Sequence, residues 1–157
     1  MREIQSKLDG SGLAACVVAS RFNERVVAQL VEGAVRALRQ HGVEEGRLEL
    51  VWVPGAFELP VAAAERLARG GVDLLVAVGA VIRGETPHFE YVASAAASGL
   101  AELSVRHRVP IGFGVLTVDT VEQATARAGG KLGNKGWEAG VAALELASVL
   151  RQLARER

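Results

Sequence analysis

The chain has 157 residues, of which half are apolar and 23% are charged, and its 18 basic side chains balance its 18 acidic ones. This size predicts a single globular domain, and a neutral chain without a basic block is not expected to bind nucleic acid. No apolar run is long enough to span a membrane and the first residues do not resemble a signal peptide, so we expect a cytoplasmic protein without a membrane partner.

The amino-terminal part of the chain predicts an arm followed by a strand. Residues 1–12 are polar and predict an arm or an edge strand, so we place the folded domain at 13–157. The apolar run 13–19 predicts the first strand. Its single cysteine, Cys16, has no partner for an internal disulfide, and we interpret it as a core residue rather than a nucleophile. The sequence has no CxxC or HExxH pattern, so we expect no metal site.

Predicted strands and helices alternate four times along the chain. The strands are the apolar runs at residues 13–19, 48–53, 74–82 and 111–117. The helices follow them and run from Asn23 to Gly42, Pro60 to Ala68, His88 to His107 and Thr120 to Ala128, with a closing helix that includes Trp137. Asn23 is the predicted N-cap of the first helix, and Thr120 with Gln123 has the spacing of a capping box. This alternation predicts an α/β fold: a single-domain, flavodoxin-like, doubly wound sheet of mainly four parallel strands, with helices on both faces.

The end of the third strand carries the residues that suggest a ligand site. Residues 83–87 form a polar turn, and a predicted helix begins at His88. Open α/β sheets bind ligands beyond the carboxyl ends of their strands. The positive end of a helix disfavours an imidazolium, so His88 is a candidate for accepting and returning a proton. A surface histidine without a task is compatible with the same pattern.

Two glycine patterns resemble nucleotide-binding motifs, and both fail at a specific position. Residues 79–86 nearly match a P-loop, but Glu85 occupies the position of the lysine that reaches the terminal phosphates, which reverses the sign of the interaction. Gly112 and Gly114 lack the third glycine of a dinucleotide site. A small phosphate bound near Thr86 and an ordinary loop with a helix cap both remain compatible with the sequence.

Aromatic and charged residues near the other predicted turns allow two interpretations each. Phe22 and Phe57 follow predicted strands, where they either wall a planar ring or plug the top of a helix. Glu58 either accepts hydrogen bonds from ligand hydroxyls or favours a helix start. The glycine-rich segment 129–136 is predicted to be a flexible connection, and it is surrounded by three cations: Arg127, Lys131 and Lys135. The three cations could bind an anion, or they could simply form a solvated surface. Together these groups predict a polar cleft for a phosphorylated small molecule.

Four blocks of the sequence, in order and spacing, match a known pattern. They are Ser-Arg-Phe-Asn at 20–23, Pro-Gly-Ala-Phe-Glu-Leu-Pro at 54–60, Gly-Ala-Val-Ile-Arg-Gly-Glu-Thr-Pro-His-Phe at 79–89 and Gly-Asn-Lys-Gly at 133–136. Across nearly its whole length the chain resembles the lumazine synthase family, which catalyses the penultimate step of riboflavin biosynthesis. The resemblance implies a transferase that joins 5-amino-6-(D-ribitylamino)uracil to 3,4-dihydroxy-2-butanone 4-phosphate. The products would be 6,7-dimethyl-8-ribityllumazine, phosphate and water, and no cofactor would be used.

The resemblance also implies a role for individual residues of this sequence. The implied substrate-binding residues are Phe22, Ala56, Phe57, Glu58, Ala80, Val81, Ile82, Glu85, Thr86, Phe113, Arg127 and Lys135. Phe22 would stack on the pyrimidine ring, residues 56–58 would hold the ribityl chain, and residues 80–82 would bind the ring through backbone groups. Residues 85–86 would hold the phosphate together with Arg127. The implied proton shuttle is His88.

The family forms pentamers, and many members assemble twelve pentamers into a hollow icosahedral shell. The resemblance implies that Phe113, Arg127 and Lys135 reach the pocket from the adjoining subunit of a homopentamer. The short segment 129–136 carries no insertion that would hinder closure of a shell, so a sixty-subunit shell is compatible with the sequence, with riboflavin synthase as a further candidate partner.

Two other hypotheses for the function are a flavin- or pterin-binding module of the same fold without catalysis, and a shell-forming protein with an inactive pocket.

Overall fold

A computed structural model describes residues 1–155 and contains a parallel sheet of four strands. The strands are β1 (Ala15–Ser20), β2 (Leu48–Val53), β3 (Leu74–Ile82) and β4 (Ile111–Val118). Their order across the sheet is β2-β1-β3-β4, and every neighbouring pair is parallel. The helices are α1 (Glu24–Gln40), α2 (Leu59–Ala68), α3 (His88–His107), α4 (Val121–Arg127) and α5 (Lys135–Ala154). The predicted α/β fold with a single doubly wound sheet is confirmed.

Helices cover both faces of the sheet and bury its central strands. Helices α1 and α5 pack on one face, where the core includes Val17 and Leu144. Helices α2 and α3 pack on the other, where the core includes Cys16 and Leu59. Successive residues of a strand point to opposite faces, so β1 and β3 need apolar side chains on both sides. Within residues 1–155, no helix is both long and apolar enough to cross a membrane.

The start of α1 differs from the predicted helix cap. Asn23 occupies the N-cap position, but its backbone is left-handed, with φ of 62°, and its side chain makes no capping hydrogen bond. Its amide nitrogen instead donates to the carbonyl oxygen of Ala80 at 2.9 Å. Asn23 therefore lies at the predicted N-cap position, but the predicted capping hydrogen bond is absent because its side chain bonds to Ala80 in β3 instead. The capping box of Thr120 and Gln123 at the start of α4 is confirmed.

The glycine-rich segment 129–136 is ordered by contacts with α1. It contributes to a short antiparallel hairpin of β5 (Ala128–Gly130) and β6 (Gly133–Asn134). Asn134 accepts the Trp137 N–H at 3.1 Å and so caps α5, and its amide donates to the Gln29 carbonyl at 2.9 Å. The prediction of a flexible connection was wrong, because these bonds and the one from the Leu132 N–H to the Ala126 carbonyl at 2.9 Å hold the segment to its surroundings.

The amino-terminal residues run beside α5 in the same chain. Residues 1–12 form no strand in the structure. The Lys7 N–H donates to Ser148 Oγ at 3.0 Å, and Gln152 Nε2 donates to the Gln5 carbonyl at 2.8 Å. The division into an arm and a domain of 13–157 stays a prediction, and the last two residues of that domain lie outside the described part of the chain.

Two glycines in β4 allow α5 to lie close to the sheet. A Cβ atom at Gly112 would lie 2.2 Å from the carbonyl oxygen of Ala139 in α5. One at Gly114 would lie 3.0 Å from Cγ1 of Val78 in the neighbouring strand. The Gly-x-Gly pattern is therefore a packing feature of β4.

We expect Gly112→Ala to lower the free energy of unfolding by about 1–3 kcal/mol, because the added methyl forces α5 away from β4. Gly46→Ala is the matched control, since a Cβ there would meet nothing within 4 Å. The control should change the free energy by less than about 0.5 kcal/mol. Urea unfolding of both variants at one protein concentration measures the difference, and equal effects would contradict the packing argument.

Candidate functional site

A cavity of about 310 Å³ opens at the carboxyl ends of β1, β2 and β3. Its lining comes from the segments that end or follow these strands: Phe22, Gly55, Ala56, Phe57, Glu58, Ala80, Val81, Ile82, His88, Phe89 and Val92. The strand order changes direction between β1 and β3, which is where open α/β sheets bind ligands. The volume is at the lower end of the range of about 300–1,000 Å³ for small-molecule pockets.

Backbone hydrogen bonds hold the three strand ends around the cavity. The N–H of Arg21 donates to the Val53 carbonyl at 2.7 Å, and the N–H of Phe22 donates to the Pro54 carbonyl at 3.0 Å. These bonds join the segment after β1 to the segment after β2. The bond from Asn23 to Ala80 joins the same segment to β3. The left-handed backbone of Asn23 costs energy, and the surrounding bonds keep it in place.

The two predicted aromatic residues form exposed walls of the cavity. The side chain of Phe22 is 72% exposed and that of Phe57 is 62% exposed, and both line the cavity. A residue that plugs the top of a helix would be buried, so that interpretation is wrong for both. Exposed ring faces beside a cavity are suited to stacking on a planar ligand. Glu58 lies next to Phe57 in the same lining, half-buried.

His88 begins α3 at the edge of the cavity. Its ring is exposed and lines the cavity, whereas His107 lies at the opposite end of the same helix. The third histidine, His41, contacts the Ala37 carbonyl through Nδ1 at 2.7 Å at the end of α1. His88 is therefore the histidine whose position suits proton transfer to a bound molecule.

The predicted phosphate residues Glu85 and Thr86 lie beside the cavity rather than in its lining. They are exposed in the loop 83–87, which joins β3 to α3. Both ends of this loop continue into cavity residues, Ile82 on one side and His88 on the other. A ligand group that projects out of the cavity toward α3 would meet the loop and the free N–H groups of the helix start.

Three predicted residues lie away from this cavity in the same chain. Phe113 is exposed on β4. Arg127 and Lys135 line a separate depression of about 350 Å³ along β4. Arg127 donates to the Gln123 carbonyl at 3.0 Å, and Lys135 Nζ lies 3.6 Å from a carboxylate oxygen of Glu138. None of the three is therefore in the lining of the cavity that contains His88, although Arg127 also lines a depression that includes Phe89.

Sequence reasoning gave no role to Phe89 and Val92, which line the cavity. Residues 88 and 92 are four apart in α3, so the helical spacing from His88 to Val92 was a usable signal. Phe89, in the first turn of α3, is buried in the apolar core on this face of the sheet. An apolar residue in a helix is typical of a core, so its residue type did not indicate a binding site. No group of three His, Cys, Asp or Glu side chains able to hold a metal occurs within residues 1–155.

Cys16 is buried in the core between the sheet and α2. Burial raises the pKa of its thiol to about 11, and the negative charge of Glu49 acts in the same direction, while Arg66 opposes it. The thiolate is the reactive form of cysteine, so this thiol is not a nucleophile at neutral pH. The interpretation of Cys16 as a core residue agrees with this environment.

Comparison with known proteins gives concordant matches to a family and to a relative. Residues 12–151 match the sequence profile of a family described as 6,7-dimethyl-8-ribityllumazine synthase. A protein of Aquifex aeolicus (strain VF5) described as 6,7-dimethyl-8-ribityllumazine synthase is 50% identical over 153 residues, which cover 98% of this chain and 99% of that protein. The chain is thus similar to that protein along its length.

We expect Cys16 to make stability fall at alkaline pH. Its pKa is raised from 9.0 in the unfolded chain to about 11 in the folded one, so below pH 9 the thiol is protonated in both states. Above that pH the unfolded chain loses its proton first, which favours unfolding by up to about 2 kcal/mol as pH rises through the folded value.

Cys16→Ala removes this titration, and the other groups that titrate in the same range are common to both proteins. The advantage of the wild type over Cys16→Ala in urea unfolding should therefore shrink from pH 8 to pH 11. A difference that stays constant would show that the thiol is not shielded from solvent.

Proposed function

This chain belongs to the 6,7-dimethyl-8-ribityllumazine synthase family, and we propose that its cavity at the ends of β1, β2 and β3 is where the two substrates react. It is a transferase of riboflavin biosynthesis that condenses 5-amino-6-(D-ribitylamino)uracil with 3,4-dihydroxy-2-butanone 4-phosphate. The products are 6,7-dimethyl-8-ribityllumazine, phosphate and water. The observation that supports the site most directly is that Phe22, Phe57 and His88, which are distant in sequence, line one cavity.

The proposed ring site combines aromatic walls with backbone polar groups. Phe22 stacks on the pyrimidine, and residues 56–58 hold the ribityl chain through backbone groups and the Glu58 carboxylate. Residues 80–82 still pair with β4, but their pairing with β1 has ended at Val78, so N–H and C=O groups on that side are available. The Ala80 carbonyl accepts the Asn23 amide, and since a carbonyl oxygen has two lone pairs it keeps one for the ring.

The proposed chemistry needs a single group that both accepts and returns protons. The substrate amine attacks the ketone to form a carbinolamine, which loses water to form an imine. Elimination of phosphate then gives an enol that tautomerises to a new ketone, and the second nitrogen attacks this ketone and closes the ring with loss of a second water. His88, at the cavity edge, accepts a proton from the attacking amine and returns it to the departing hydroxyl. Holding the two reactants side by side lowers the barrier further, by up to ~7–11 kcal/mol in well-oriented cases.

The proposed phosphate site lies between two subunits. Thr86 supplies a hydroxyl, and Glu85 supplies its backbone N–H because its carboxylate repels a phosphate. Phe113, Arg127 and Lys135 come from the adjoining subunit. This proposal is supported by their positions along β4, outside the lining of the cavity that contains His88 in their own chain.

We propose a homopentamer as the active unit, a sixty-subunit shell as its larger assembly and the cytoplasm as its location. Large apolar side chains that no element of this chain covers support association: Tyr91 is 74% exposed and Val105 is 80% exposed on α3, and Leu146 and Leu153 are exposed on α5. Riboflavin synthase is a proposed partner because it would consume the product. The mass of the intact particle separates a free pentamer from a closed shell.

We expect His88→Ala to lower kcat by about 10²–10⁴-fold, the usual contribution of general acid–base catalysis. Binding of the ring should survive because the aromatic walls and strand ends are unchanged. The measurement is the appearance of the lumazine chromophore when both substrates are mixed with the protein.

His107→Ala is the matched control, since it removes an exposed histidine from the other end of α3. It should leave kcat within about twofold of the wild type, as for a typical surface substitution. Equal turnover by His88→Ala and the wild type would remove His88 from the mechanism. If the wild type binds the ring but forms no lumazine, the hypothesis of a non-catalytic binding module replaces the synthase.

A site shared between subunits predicts that two impaired variants complement each other when they assemble together. Arg127→Ala should raise the KM for the phosphorylated substrate by about tenfold or more, because a charged hydrogen bond is lost. When Arg127→Ala and His88→Ala chains are unfolded together and reassembled, some boundaries pair an intact His88 with an intact Arg127.

With the phosphorylated substrate well below its KM, we expect the mixed assembly to be more active than either variant alone. Reassembly of each variant by itself is the control, and it should give no gain in activity. A mixture no more active than the mean of its two components would show that Arg127 acts within its own chain or not at all.

A further inference from the structure

The loop between β3 and α3 is tied at both ends by one side chain, that of Arg83. Its guanidinium carbon lies 4.2 Å from the centre of the Phe89 ring, in the first turn of α3. Its Nε donates to Asp119 Oδ1 at 2.7 Å, just after β4. Its backbone N–H donates to the Val118 carbonyl at 2.9 Å. One residue thus connects the ends of β3 and β4 with the start of α3.

The residues between these contacts have few other constraints. Residues 84–88 are exposed, and their loop contains Glu85, Thr86 and His88, the proposed phosphate and proton-transfer groups. A guanidinium can stack flat on a ring and hydrogen-bond in its plane at the same time, which an ammonium cannot do. Arg83 is thereby suited to fix where α3 starts relative to the sheet.

We propose that Arg83 is a positioning residue of this synthase. It holds the loop 83–87 and the first turn of α3 so that His88 and the phosphate-binding groups face the cavity. The proposal rests on the proposed function of the cavity. Arg83 acts through Phe89 and Asp119, and the ring site formed by Phe22 and residues 80–82 does not depend on it.

The competing explanation is that Arg83 binds the phosphate directly, and Asp119 distinguishes the two. If Arg83 contacted the phosphate, Asp119→Ala would free its guanidinium, and the KM for the phosphorylated substrate would stay the same or fall. If Arg83 positions the loop, Asp119→Ala removes one of its anchors and the KM rises. Asp119→Asn keeps an oxygen that accepts the Nε hydrogen bond, so it should behave nearly as the wild type.

The kinetic test compares Arg83→Met, Asp119→Ala and the double variant. We expect kcat/KM for the phosphorylated substrate to fall about tenfold in Arg83→Met, the combined size of an exposed cation–π contact and an exposed ion pair. It should fall about two- to fivefold in Asp119→Ala, which loses only the ion pair. The KM for the ribitylaminouracil should change less than about twofold. The double variant should be no worse than Arg83→Met, because both changes release the same loop.

The matched control is Arg36→Met, which removes a guanidinium 5.4 Å from the Trp137 ring between α1 and α5, away from the cavity. It should leave kcat/KM unchanged. Losses that add in the double variant, equal effects on both substrates, or a fall in the KM with Asp119→Ala would each overturn the proposal.

A second measurement does not need activity. Hydrogen exchange of the hydrogen-bonded amides at the two ends of the loop, those of residue 83 and residues 90–92, should become about tenfold faster in Arg83→Met and also faster in Asp119→Ala, while β3 exchanges as in the wild type. Unchanged exchange at these amides would overturn the positioning role even if turnover falls. A wild-type protein that makes no lumazine would refute the proposed function, whereas the exchange result would still decide whether Arg83 holds the loop.

Discussion

Parallel pairing between β1 and β3 is the constraint on which the rest of the structure depends. The two strands pair from Ala15 with Leu74 to Ala19 with Val78, and helices bury them on both faces. Backbone groups in such strands must be satisfied within the sheet, and the side chains must be apolar. Backbone N–H and C=O groups of these strands can bind a ligand only where the pairing between β1 and β3 ends. The cavity lies at that end, and the chain reverses its direction across the sheet at the same point.

Regular features with local causes could be predicted from the sequence. The apolar runs of β1 and β3 and the capping box of Thr120 and Gln123 depend on neighbouring residues, so their patterns were sufficient. The α/β fold followed from the alternation of strands and helices. The resemblance pointed to residues of four separate blocks, and the structure brings Phe22, Phe57 and His88 to one cavity.

Features with distant causes could not be predicted in the same way. Asn23 has the residue type of a helix cap, but its amide bonds to Ala80, 57 residues further along the chain. The hairpin near Lys135 looked flexible because its anchor, the Gln29 carbonyl, is on another helix. Phe89 is an apolar residue in a helix, and only the three-dimensional arrangement shows that its ring lies under a guanidinium.

The hydrogen bond from Asn134 to the Gln29 carbonyl of α1 has a consequence for the proposed assembly of subunits. Gly33 in α1 leaves room for the Asn134 side chain, since a Cβ there would be 2.2 Å from its Oδ1. Lys135 is therefore the first residue of a helix, α5, whose N-cap is Asn134 of the same chain. Association loses affinity when surface segments must first be ordered. In the proposed assembly, the segment that leads to Lys135 is already ordered in the single chain, so association would lose little conformational entropy there.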